Sequence, residues 1–150
     1  KFNDIGATFQ KQVKRYEKIR DVISVSPMSG SDVLKIDTSL DMFVLVQMSS
    51  KANLFTREVS KSIMDMITFE KLEGNENIKG IICQNSEFIN TDLEVLTIKP
   101  GINLSATGDA LGQCYSNLNG DLPDMIVVGR GITKSADPVQ EIKKYKIVKK

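Results

Sequence analysis

The stretch DMIVVGRGITKSADPVQEIKKY, residues 124–145, decides the fold class. Its apolar run of Met125, Ile126, Val127 and Val128 stops at Gly129-Arg130-Gly131, and an Asp137-Pro138 step then opens a charged helix. A short apolar run bounded by glycine reads as a parallel strand covered on both faces. Glycines let backbone approach a ligand closely, and the planar guanidinium of Arg130 between them suits phosphate. An anion-binding Arg at the C-terminal end of a strand suggests the catalytic face of an α/β barrel, with a purely structural strand-Gly-Arg-Gly turn as the alternative. Asp137 is placed to cap the helix that follows, with Pro138 at its first position and Gln140 completing a capping box.

Outward from this stretch, strands and helices alternate. Phe9, Val13, Tyr16 and Ile19 fall at helical spacing and predict an amphipathic helix over 7–19. Strands are expected at 22–25, 42–48, 78–83, 95–97 and 125–128, with a helix from Val59 through about residue 69. The order strand then helix implies α/β with a parallel sheet. The glycine-rich stretch 101–120 has no clear period, and long loops in compact domains are usually functional. No repeat, low-complexity tract or linker interrupts the chain, so residues 1–150 read as one domain or part of one.

Composition narrows the chemistry. The 150 residues are 41% hydrophobic and 26% charged with a net charge of +1, an ordinary globular profile that gives no electrostatic reason to expect nucleic acid. No apolar segment approaches the roughly 18 residues that span a bilayer, and no signal-peptide pattern opens the sequence. Cys83 and Cys114 lie far apart, form no zinc pattern, and fit a reducing cytoplasm. There is no histidine, so Ser-His-Asp and Cys-His catalysis are excluded; an enzyme built from these residues works with Lys, Asp, Arg and hydrogen bonds.

Five loops then carry a resemblance. KFNDIGAT at 1–8, MSSKANL at 48–54, KPGINL at 99–104, GDALGQCY at 108–115 and VVGRGIT at 127–133 resemble, in order and spacing, the orotidine 5′-phosphate decarboxylase family. That family includes the decarboxylase domain of bifunctional UMP synthase. The match covers essentially the whole chain and implies a (β/α)8 TIM barrel of which this chain supplies about the last five strands. It implies decarboxylation of orotidine 5′-monophosphate to UMP in pyrimidine biosynthesis, without metal or other cofactor, by a cytoplasmic homodimer. Lys1 matches the Lys of the family's Asp-x-Lys-x-x-Asp motif and would be the proton donor; Asp4 matches its last Asp and would act across the dimer interface. Thr8 matches a position that reaches the neighbouring subunit's ligand. Ser49 matches the serine that hydrogen-bonds the pyrimidine. Pro100 and Gly101 open the loop over the nucleotide, Gln113 and Tyr115 match its phosphate contacts, and Arg130 with the backbone N–H groups of Gly129 and Gly131 completes the phosphate grip.

The sequence also departs from the family. Gln47 stands where a Glu is usual, Ala52 where a Gly is usual, and Lys99-Pro100-Gly101 replaces Thr-Pro-Gly. Ser24 to Gly30 lacks the family's His, and the Trp-x-Ala-Tyr close of many members is missing after Tyr145. A barrel of this type needs about 200 or more residues. The first three strands, with an Asp and a Lys from earlier strand ends and the Asp two positions before Lys1, would therefore precede residue 1, and the chain alone is expected to be inactive. A non-catalytic nucleotide-binding or interaction domain derived from the family is the alternative. Another phosphosugar barrel enzyme is more remote, because KFNDIGAT and MSSKANL match the pyrimidine end.

Overall fold

β-Branched and aliphatic residues dominate four of the five runs that pair into the central sheet, as a pleated, covered surface favours. In the computed structural model, which describes residues 3–104, 108–110, 113–118 and 120–146, these runs form β1 (Val22–Val25), β2 (Asp41–Leu45), β3 (Ile78–Ile82) and β4 (Leu96–Pro100). A small antiparallel hairpin of β5 (Gly108–Ala110) and β6 (Gln113–Tyr115) follows, and β7 (Met125–Val127) completes the sheet. The order is β1-β2-β3-β4-β7, every pair parallel. The hairpin lies inside the 101–120 stretch, where no period was legible.

The helices are α1 (Gly6–Lys14), α2 (Arg57–Leu72), α3 (Ser86–Ile89), α4 (Arg130–Thr133) and α5 (Pro138–Lys143). α2 starts where Thr56 accepts a hydrogen bond from Val59 N at 3.3 Å. It buries Ile63 and Ile67 against the sheet, and Ser60 Oγ ties it to Val46 O at 3.0 Å. α5 starts as expected, with Asp137 Oδ1 accepting from Val139 N at 3.1 Å and Gln140 N at 3.0 Å. The expected capping box is not completed: the Gln140 side chain accepts from Lys143 Nζ at 3.2 Å instead of reaching back to Asp137 N.

One helix is shorter than its spacing predicts. Phe9 and Val13 are fully buried, but α1 ends at Lys14, and Tyr16 and Ile19 are 39% and 60% exposed. Single-turn bonds, Arg15 N to Gln12 O and Tyr16 N to Val13 O, tighten the chain before it turns into β1. The strand expected over 42–48 also ends early: Val46 N and Gln47 N both donate to Ile82 O, at 2.9 and 3.0 Å, which breaks the ladder.

Register assigns the faces. Val25, Val44, Ile81 and Thr97 lie in one row, on the side where α1 and α2 pack with Phe9, Val13, Ile63 and Ile67. Ile126 lies on that side too, in the row of Lys99, beside Ile142 and Tyr145 at the C-terminal end of the chain. Ser24, Phe43, Gly80 and Leu96 lie in a row on the opposite face, as do Leu45, Ile82, Ile98 and Met125. Strands in chain order with α1, α2 and α5 on one face form a singly wound sheet, the arrangement that curls into a barrel.

Candidate active site

The C-terminal ends of the strands are stitched together by polar groups. Gln47 Oε1 accepts from Gln84 N and Asn85 N, both at 2.9 Å, and Gln84 Nε2 donates to Pro100 O at 3.0 Å. The Gln that departs from the family pattern is thus a buried acceptor linking the ends of β2 and β3, and Gln84 extends the link to β4. Cys83, at the end of β3, is fully buried, and burial pushes its thiol up to about 12, so it stays protonated and unreactive.

Around this rim the candidate residues fall into two groups. At one end, Asp4 and Thr8 lie at the start of α1. Asp4 Oδ1 accepts from Ile5 N at 2.8 Å, its Oδ2 accepts from Gln12 Nε2 at 3.2 Å, and its carbonyl accepts from Ser29 Oγ at 2.7 Å. Thr8 N closes the first turn onto Ile5 O at 3.0 Å. Lys1 lies outside the described residues. A concavity lined in part by Asn3, Ser26, Met48 and Asn53 puts the N-terminal segment beside the loop that carries Ser49. Asn53 shapes that loop: its Nδ2 donates to Ser50 O at 2.5 Å and its Oδ1 accepts from Phe55 N at 2.9 Å.

At the other end stand Pro100, Tyr115, Gly129 and Arg130. The Arg130 guanidinium lies 5.4 Å from the centre of the Tyr115 ring, a cation–π distance, and Arg130 opens α4 at the end of β7. The Tyr115 hydroxyl is buried and makes no hydrogen bond within the described structure. The backbone of Gln113 lies in β6; its side chain lies outside the described part. A side chain at Gly129 would meet nothing within 4 Å, so the backbone there is open to approach. At Gly131 an added Cβ would lie 2.8 Å from the Tyr145 hydroxyl and 3.2 Å from Asn103 Oδ1. That glycine therefore serves close contact with neighbouring side chains as well as any ligand role.

The two groups are physically joined. Cys114 N, between Gln113 and Tyr115, donates to Ser49 O at 2.7 Å. The neck of the loop that follows β4 is fixed by Ser116 N to Gly101 O and Asn103 N to Ser116 O, each 3.1 Å. Leu104 N donates to the Tyr145 hydroxyl at 3.2 Å. Asn103 and Tyr145 were not singled out as site residues, although Asn103 lies within the KPGINL loop and Tyr145 closes the 124–145 stretch, because their partners are distant in the chain. Among the described residues no His/Cys/Asp/Glu cluster fit to hold a metal occurs, and no helix is long and apolar enough to cross a membrane.

A singly wound parallel sheet with Arg, Tyr and open glycine backbone gathered at its C-terminal edge is part of an α/β barrel. The chain belongs to the orotidine 5′-phosphate decarboxylase / HUMPS family, whose model matches residues 1–145. It is 32% identical to the orotidine 5′-phosphate decarboxylase of Candida parapsilosis, over 97% of this chain and 60% of that protein. It is 31% identical to the uridine 5′-monophosphate synthase of Caenorhabditis elegans, over 97% of this chain and 32% of that one. The fold matches the crystal structure of orotidine 5′-monophosphate decarboxylase from Methanocaldococcus jannaschii complexed with the inhibitor BMP. That match has a TM-score of 0.71 and 24% identity, covering 97% of this chain and 69% of the other. The chain thus spans about 60% of the length of the Candida decarboxylase that it matches.

Proposed function

We propose that residues 1–150 are the C-terminal part of a single orotidine 5′-phosphate decarboxylase barrel domain, converting orotidine 5′-monophosphate to UMP in de novo pyrimidine biosynthesis. In this reading the bond between C6 and the carboxylate breaks, CO2 leaves, and the electron pair stays on C6. The Lys1 ammonium stabilises that charge and delivers the proton to C6, as general acid and preorganised cation. Asp4 and Thr8 serve the site of a second subunit in a homodimer. Ser49 hydrogen-bonds the pyrimidine. Gln113, Tyr115, Arg130 and the backbone of Gly129 take the phosphate, and Pro100 sets the loop between them. No cofactor is required by this chemistry.

The observation that carries the reading is Arg130 stacked on Tyr115 at the strand ends, joined through the Cys114 N to Ser49 O bond to the loop matched to the pyrimidine. Phosphate is remote from C6, so its binding energy helps the reaction by orienting the nucleotide and excluding water.

The test is decarboxylation, followed by the loss of nucleotide absorbance, with this chain extended through its upstream coding region. Arg130→Ala is expected to raise KM and the Kd for UMP about 10- to 100-fold, the loss of charge-assisted hydrogen bonds worth about 1.5–3 kcal/mol. Lys1→Ala is expected to abolish turnover and leave UMP affinity largely intact. UMP affinity unchanged by Arg130→Ala sinks the phosphate assignment. UMP binding without turnover in the extended wild type moves the reading to a non-catalytic nucleotide-binding domain.

A further inference from the structure

The residues of β4 that turn to the helix face are Thr97, in the row of Val25, Val44 and Ile81, and Lys99, in the row of Ile126. Each takes a carboxylate from the segment returning from the phosphate-end loop. Thr97 N and Oγ1 donate to Asp124 Oδ2 at 2.8 and 2.9 Å, and Asp124 N donates back to Thr97 Oγ1 at 3.1 Å. Lys99 Nζ pairs with Asp121 Oδ2, and the two side chains are only 5% and 6% exposed. Such burial costs both ions several kcal/mol of hydration, and an apolar pair of similar volume is often as stable. The pair is therefore a poor device for stability and a good one for fixing geometry.

We propose that Lys99 and Asp121 are positioning residues for the phosphate end of the site, clamping the two ends of the 100–121 loop so that Tyr115 is presented to Arg130. The proposal rests on the phosphate reading given above. Lys99 immediately precedes Pro100 and Gly101, whose carbonyl receives Ser116 N, the residue after Tyr115. Asp121 leads into β7, which delivers Arg130. Lys99 stands where the family pattern has Thr, and a Thr side chain is too short to make the ammonium contact. Burial is the largest influence on the Asp121 carboxyl and pushes it up. Hydrogen bonds from Lys99 and Ser86, with the Lys99 charge, outweigh that and hold it below the ordinary Asp range. The Asp121 carboxyl is thus ionised at neutral pH, and its half of the pair is lost as acid protonates it below the ordinary Asp range.

The experiment uses the extended protein and two substrates, orotidine 5′-monophosphate and phosphate-free orotidine. The double variant Lys99→Met/Asp121→Leu removes both charges without leaving one unpaired. It is expected to raise KM for the nucleotide and Kd for UMP at least fivefold, leaving kcat at saturation and kcat/KM for orotidine within twofold. Lys99→Arg, which preserves the pair, should restore wild-type KM. A merely structural role would lower both substrates together, and that outcome, or an unchanged nucleotide KM, overturns the proposal. Asp121→Asn is read by the same criteria if the double variant does not fold. Arg130→Ala is the control: if it raises nucleotide KM and the double variant does not, the clamp alone is wrong. If neither moves KM, the phosphate reading itself has failed.

Discussion

Ala52 has a backbone φ of 52°, and among the described residues it is the only non-glycine with positive φ. For an L-residue the left-handed region costs roughly 1–2 kcal/mol, which glycine avoids. The family pattern places glycine here, and the geometry explains why: the turn between Ser50 and Asn53 needs that conformation. Ala52→Gly is expected to stabilise the protein by about 0.5–1 kcal/mol, after the extra chain entropy of glycine is subtracted. A urea unfolding midpoint that falls instead of rising would contradict this. The other departures were visible as letters and became meaningful only with their partners. Gln47 is an acceptor for two N–H groups, a task Glu would also perform, and Lys99 answers Asp121 across a loop. The strand end before Arg130, by contrast, was legible from its glycine neighbours: β7 stops at Val127 and Arg130 opens α4. Nothing in a linear reading reports which carboxylate will face a buried lysine, because long-range pairing leaves no local pattern.

Among elements, the β2–β3 pair shows how a single missing side chain sets sheet geometry. An added Cβ at Gly80 would lie 2.3 Å from Phe43 Cε1 and 2.9 Å from Leu96 O. Phe43 therefore lays its ring across the adjacent strand, and the register shifts between Met42 and Phe43 beside it. Gly80→Ala is expected to cost about 1–3 kcal/mol, the range for overpacking a filled interior. Calorimetry of the variant would report it as a lower Tm with the fold retained. The five strands of the central sheet were legible because each apolar run is bounded by polar or glycine residues, and their order followed from the family resemblance. The ends were less so. The Phe9, Val13, Tyr16, Ile19 spacing outlasted the helix, since periodicity records which residues are apolar and not where the hydrogen-bond ladder stops. The β5–β6 hairpin escaped because three-residue strands are too short to show alternation.

Over the whole molecule, the face of the sheet turned away from the helices is apolar and partly open. Val22, Leu96, Met125 and Val127 on that side are 45%, 43%, 39% and 52% exposed. Burying such a surface is worth about 25 cal/mol per Å², a driving force that nothing among the described residues captures. The expected outcome is that the 150-residue chain alone binds a hydrophobic dye strongly and self-associates. On the proposed reading, the same chain joined to a segment that completes the barrel should bind little dye. Equal dye binding by both would show that this face is not the inside of a completed barrel.

The sheet's neighbour order equals its synthesis order, apart from the inserted hairpin. Val22 pairs with Asp41, Met42 with Ile78, Gly80 with Leu96, and Ile98 with Met125, so each new strand finds its partner in the one made just before it. Each closure spans only a few tens of residues, and its entropic cost grows as the logarithm of that span. A chain emerging from the ribosome can therefore add one strand at a time, leaving the final closure of a barrel as the one long-range event in its assembly.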